Sequence, residues 1–92
     1  LQFLDYLQEV IKERKHTLPE GSYTAKLFKK GTAKIAQKVG EEAVEVVIEA
    51  MKTDDEAFLN ESADLMYHLI VLLVDRGWSL QDVAKVLKNR HK

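Results

Sequence analysis

At 92 residues, 46% of them hydrophobic and 32% charged, the chain fits one globular domain (1–92) and not a disordered one. A net charge of −1 leaves no global field to attract nucleic acid or a membrane surface. The absence of cysteine excludes disulfides and thiolate metal sites. No signal peptide is visible, and the longest apolar run, Leu69 to Val74, is far too short to span a bilayer. A cytoplasmic location is the default expectation. The first residue is Leu1 and not methionine, so residues can be missing from the start.

Residues 2–16 read as a first helix, with Phe3, Leu4, Leu7, Val10 and Ile11 on one stripe. Thr17-Leu18-Pro19-Glu20-Gly21 breaks it, and Pro19 biases Leu18 away from the helical region. Ser22 is placed to cap a short helix through about Lys30, stopped by Gly31. Thr32 is then expected to cap a long helix to about Met51. Lys34, Lys38, Glu41, Glu42, Glu45 and Glu49 share one side of it, beside an apolar stripe of Ile35, Val39, Ala43, Val46 and Ala50. Gly40 inside this helix costs roughly 1 kcal/mol relative to alanine. It permits close approach of a neighbour, or it marks a kink.

Asp54 or Asp55 can cap the next helix, which runs to about Arg76 with Gly77 as its stop. This helix is apolar nearly all round after Asp64, and such a helix is buried on all sides. One small chain can hardly enclose it, so a two-fold homodimer is expected. His68 lies on the same side as Glu61 and Asp64, where it is a ligand, a substrate contact or a hydrogen-bonded structural residue. Tyr67 reads as a packing residue whose hydroxyl finds a partner. Ser79-Leu80-Gln81-Asp82 is a capping box opening a last helix, with Leu80, Val83, Val86 and Leu87 on its buried side. Its end, Lys85, Lys88, Asn89, Arg90, His91 and Lys92, is basic, as suits a helix C-terminus. The expected fold is therefore all-α: an antiparallel bundle of about four to five helices, completed by dimerisation.

The two long helices carry the candidate chemistry. Glu42 and Glu45 share a helix face, and so do Glu61 and Asp64. The polar stretch Lys52-Thr53-Asp54-Asp55 between the helices predicts an antiparallel hairpin. Folded about Thr53, Glu45 matches Glu61 in height and Glu42 matches Asp64. Converging carboxylates repel unless a cation sits between them, and Mg²⁺ suits oxygen ligands at a substrate-shared site. Five lysines, Lys26, Lys29, Lys30, Lys34 and Lys38, lead into this cluster. They form a solvated, ion-paired face or an approach for phosphate, and residue types alone leave both open. Carboxylates, a divalent ion and lysines together suit metal-dependent hydrolysis of a phosphorylated small molecule. Glu41, beside the cluster, is then a candidate to orient or deprotonate water. The bland alternative is a bundle with surface glutamates, since Glu-x-x-Glu is common on helices.

The ordered motifs go further. Glu41-Glu42-x-x-Glu45 followed by Glu61-x-x-Asp64 resembles the signature of the all-α, MazG-like nucleoside triphosphate pyrophosphohydrolases. Ser22-Tyr23-Thr24-Ala25-Lys26-Leu27-Phe28, Gly31-Thr32-Ala33-Lys34-Ile35-Ala36-Gln37-Lys38-Val39-Gly40, Asn60 to His68 and the final Arg90-His91 are similar to the phosphoribosyl-ATP pyrophosphohydrolase family of histidine biosynthesis. The resemblance covers nearly the whole chain. It implies Mg²⁺-dependent hydrolysis of phosphoribosyl-ATP to phosphoribosyl-AMP and pyrophosphate, in the cytoplasm, by a homodimer. It implies Glu42, Glu45, Glu61 and Asp64 as metal ligands, with Glu41 and Glu45 as catalytic candidates. Lys26, Lys30, Lys34 and Lys38 are the candidate phosphate contacts. Without a fused phosphoribosyl-AMP cyclohydrolase domain, the chain resembles the stand-alone form, with that enzyme as a functional partner. The rival readings are a house-cleaning enzyme acting on dUTP or another non-standard nucleotide, and a non-enzymatic helical interaction module.

Overall fold

A computed structural model describes residues 1–91; Lys92, the last of the basic terminal residues named above, lies outside the described residues. The described residues form five helices: α1 (Gln2–Thr17), α2 (Tyr23–Lys30), α3 (Thr32–Ala50), α4 (Asp55–Asp75) and α5 (Leu80–Arg90). Among the described residues there is no strand. The expected all-α bundle and its helix order are thus observed. α3 and α4 form the antiparallel hairpin and are the most extensively paired elements. α1 crosses α4, and α2 bridges α1 and α3.

Local chemistry explains most boundaries. The Ser22 hydroxyl accepts from the Ala25 N–H at 3.1 Å and starts α2. Asp54 does the same for α4 through the Ala57 N–H at 3.1 Å. The Ser79–Asp82 capping box is complete at the start of α5. Leu18 leaves the right-handed helical region as the following proline demands, but it enters the left-handed region (φ 48°, ψ 54°) and closes α1 by donating its N–H to the Arg14 carbonyl at 2.9 Å. One cap differs from expectation. Gly31 (φ 96°, ψ 173°), not Thr32, precedes α3 as its cap. That backbone conformation is open only to glycine. The Thr32 hydroxyl instead donates to Asp75 Oδ2 at 2.6 Å, tying the start of α3 to the end of α4.

The core is small: Ile11, Leu27, Ile35, Ile70, Val71 and Val74, with Leu4, Leu7, Phe28, Tyr67, Leu72 and Leu80 against it. Gln8 is buried at 2% exposure beside it. Its side chain accepts from the Leu80 N–H at 2.6 Å and donates to Gln81 Oε1 at 2.8 Å, fastening α5 to α1. Lys15 donates to the carbonyls of Val74 and Asp75, each at 3.1 Å, at the negative end of the α4 dipole.

Three expected faces are corrected. Phe3 is 66% exposed and stacks obliquely on Tyr6 outside the core, because α1 meets the rest of the chain only from Leu4 onward. Val83, Val86 and Leu87 are exposed, since α5 is held mainly through Leu80 and the Gln8–Gln81 contacts at its start. α4 is not enclosed on all sides: Ile70, Val71 and Val74 are buried, whereas Leu59 and Met66 face outward. α4 is by length and composition apolar enough to cross a membrane, yet it lies in the bundle as its core helix. A Cβ at Gly40 would meet nothing within 4 Å, so no close approach within this chain requires that glycine.

Candidate metal and phosphate site

The α3–α4 hairpin sets the site. Glu42 on α3 and Glu61 and Asp64 on α4 each place a carboxylate oxygen within 4.8 Å of the others. Six-coordinate Mg²⁺, with oxygens at 2.0–2.1 Å, spans no more than about 4.2 Å between opposite ligands. At most one pair of the three oxygens can be opposite and neighbouring ligands lie about 2.9 Å apart, so closing on one such ion draws the oxygens together by up to about 2 Å, within reach of side-chain rotation. The donor set, all carboxylate oxygen, suits a hard cation. Partial burial, followed by the negative charge of Glu42, pushes Glu61 above the usual carboxylate range, with Asp64 and Glu45 adding to the effect. A group of acids short of compensating positive charge behaves this way.

Glu45 stands outside that group, although its charge reaches Glu61. Glu41 stands outside it too. Its carboxylate accepts from Gln37 Nε2 at 3.1 Å and pairs with Lys38 at 3.3 Å, and these two partners hold it below the usual carboxylate range. Lys38 also reaches Glu42 at 3.7 Å, and the Glu41 contact foremost holds its ammonium above the usual lysine range. Of the four candidate lysines, Lys38 touches the acidic group. Lys34 lies farther along α3, near enough for its charge to act on Glu41. Lys26 and Lys30 are exposed on α2. The larger surface hollows, about 400 Å³ each on either side of Trp78, contain none of these residues.

Sequence reasoning gave Tyr23 no individual role, yet its hydroxyl lies at the edge of the site. It meets His68 Nε2 at 2.8 Å, while His68 Nδ1 meets the Asp64 carbonyl oxygen at 2.7 Å. A carbonyl only accepts, so Nδ1 carries the proton and Nε2 accepts from Tyr23. His68 is thus the hydrogen-bonded residue among its three alternatives, with both ring nitrogens occupied. The Tyr67 hydroxyl finds a partner in Thr24. No spacing rule could reveal Tyr23, because α2 and α4 are separated by all of α3.

Residues 4–91 match the family described as phosphoribosyl-ATP pyrophosphohydrolase. The chain belongs to that family. It is 54% identical over 91 residues to the histidine biosynthesis bifunctional protein HisIE of Xanthomonas axonopodis pv. citri, covering 99% of this chain and 44% of that protein. The HisIE proteins of Bacteroides thetaiotaomicron (52% over 91 residues, 99% of this chain and 45% of the relative) and Vibrio cholerae (52% over 90 residues, 98% and 43%) are similarly close. The chain spans less than half the length of these curated relatives, which are bifunctional proteins.

Proposed function

We infer that this chain hydrolyses phosphoribosyl-ATP to phosphoribosyl-AMP and pyrophosphate, the second step of histidine biosynthesis. Two observations of different kinds support it: the family match over residues 4–91, and three carboxylates drawn together beside Lys38. Glu42, Glu61 and Asp64 would hold Mg²⁺, and Glu45 completes the ligand set at the edge of the group. The bound ion supplies charge neutralisation at the phosphate oxygens. Lys38, and Lys26, Lys30 and Lys34 along the approach, bind the remaining phosphate charge as point charges. Water adds to phosphorus, the phosphoanhydride P–O bond breaks, and the water's proton passes to a carboxylate. Glu45 is the candidate to accept it. Glu41, held low by Gln37 and Lys38, is the weaker base and orients water or balances Lys38.

The chain would act as a cytoplasmic homodimer. Val44, Val47, Ile48 and Met51 form an exposed stripe on α3 at helical spacing, and Leu59 lies exposed on α4. A second copy of the hairpin is the natural cover, giving a four-helix interface. The bifunctional relatives support a functional link to phosphoribosyl-AMP cyclohydrolase, which would take the product.

The test is pyrophosphate release from phosphoribosyl-ATP with and without Mg²⁺, with ATP and dUTP as controls, on the wild type and Glu45→Gln. Metal-dependent release from phosphoribosyl-ATP alone, lost in the variant, is expected. Release from dUTP instead would keep the site and discard the pathway. No release from a folded protein would leave a helical module with an acidic face.

A further inference from the structure

α2 has only eight residues, and a helix this short does not hold itself in water. Its orientation is set by what it touches. Leu27 enters the core, the Thr24 hydroxyl bonds Tyr67, and the Tyr23 hydroxyl bonds His68. Both polar anchors end on adjacent residues of α4, one turn beyond Asp64. Tyr23, Lys26 and Lys30 recur at i, i+3 and i+7, so they share one stripe of α2. Whatever fixes Tyr23 fixes the direction of both lysines.

The Tyr23 anchor is built with little freedom. His68 is 6% exposed, and both its nitrogens are engaged, which sets its tautomer. The three rings pack together: Tyr23 and Tyr67 stack at 6.4 Å, and each meets His68 edge-on, at 5.8 and 5.4 Å. The Tyr23 phenol stays a donor: burial foremost, and Tyr67, Glu42 and Asp64 besides, push its hydroxyl up against the opposing pull of Lys38. His68, which bonds the Tyr23 hydroxyl on one side and the Asp64 carbonyl on the other, links the phenol to the backbone that carries the acidic group.

We propose that Tyr23 and His68 are positioning residues: their hydrogen bond fixes the rotation of α2 about its axis and so aims Lys26 and Lys30 at the phosphates of a substrate seated beside the acidic group. The proposal rests on the phosphate-binding reading above and adds the device that orients the lysines.

Three variants separate the roles. Tyr23→Phe keeps the ring and deletes the donor. His68→Asn places an amide nitrogen where Nδ1 stood, keeping the Asp64 carbonyl bond and losing Tyr23. His68→Gln places an amide oxygen near Nε2 and keeps an acceptor for Tyr23. The readouts are calorimetric affinity for inorganic pyrophosphate with Mg²⁺, KM and kcat for phosphoribosyl-ATP, and urea unfolding. Losing this bond is expected to weaken pyrophosphate binding and raise KM about three- to tenfold in Tyr23→Phe and His68→Asn. Their kcat stays within about twofold, the double variant is no worse than either single one, and His68→Gln remains near wild type. A lower unfolding midpoint with unchanged pyrophosphate affinity and KM would overturn the proposal, because that is what packing alone predicts. A fall in kcat at unchanged KM would overturn it as well, as would a wild type that binds no pyrophosphate. If the binding pattern holds but the wild type releases nothing from phosphoribosyl-ATP, the proposed reaction fails and the positioning role stands.

Discussion

The acidic group makes a prediction that needs no substrate. Glu42, Glu61 and Asp64 hold oxygens within 4.8 Å of each other, and the nearby cation, Lys38, is shared between Glu42 at 3.7 Å and Glu41 at 3.3 Å. An ion that binds the folded chain alone stabilises it by about 2.7 kcal/mol at one hundred times its dissociation constant. For a domain of this size each kcal/mol moves the midpoint by about 4–8 °C, so Mg²⁺ should raise it by about 10–20 °C. Glu42→Gln removes one anionic ligand. If affinity falls about tenfold, the same Mg²⁺ concentration contributes about 1.4 kcal/mol, and the shift is roughly halved. Without Mg²⁺ the variant should melt close to the wild type. It gives up a long, partly buried contact with Lys38 (3.7 Å), while Lys38 keeps Glu41, and it relieves repulsion within the group. Differential scanning calorimetry at matched Mg²⁺ concentrations reads both. A wild-type midpoint unmoved by Mg²⁺, or an equal shift in Glu42→Gln, would refute a metal site at these carboxylates.

Glu61 predicts the pH dependence. Its carboxyl is raised in the folded chain, so the folded state holds a proton that the unfolded state has released. Ion-free stability should therefore fall as pH climbs from the ordinary carboxylate range through the raised range of Glu61, and Mg²⁺ affinity should rise over the same window. Urea unfolding at stepped pH would show this slope, and Glu61→Gln should flatten it. Gln8→Met removes the acceptor of the Leu80 N–H and should cost about 1–3 kcal/mol. Hydrogen exchange should show the loss concentrated in α5, and a uniform effect over all five helices would contradict its fastening role. The proposed homodimer predicts a wild type that sediments as a dimer, and Val47→Glu, a charge in the middle of the exposed α3 stripe, should shift it to monomer while leaving the helical circular dichroism unchanged. A variant that still sediments as a dimer would move the interface elsewhere.

What the sequence determined by itself was most of what is decided within about four residues, with the cap of α3, where Thr32 turned to Asp75 instead, as the exception. Ser22, Asp54 and Ser79 cap helices because their side-chain oxygens meet backbone N–H groups three positions ahead. The turn at Thr53 and the helical patterns on either side of it determined the hairpin, and with it the heights of Glu42, Glu61 and Asp64. Height along an axis follows from counting, but rotation about that axis does not. Only tertiary packing decided that Glu45, matched in height to Glu61, falls outside the close group. Packing also decided that Val83, Val86 and Leu87 stay uncovered in one chain: α5 is held at its first turn, and an apolar stripe does not specify what covers it. The Tyr23–His68 contact joins residues 45 positions apart. No local preference encodes it, because it exists only once α1, α3 and α4 have fixed where the eight residues of α2 come to rest.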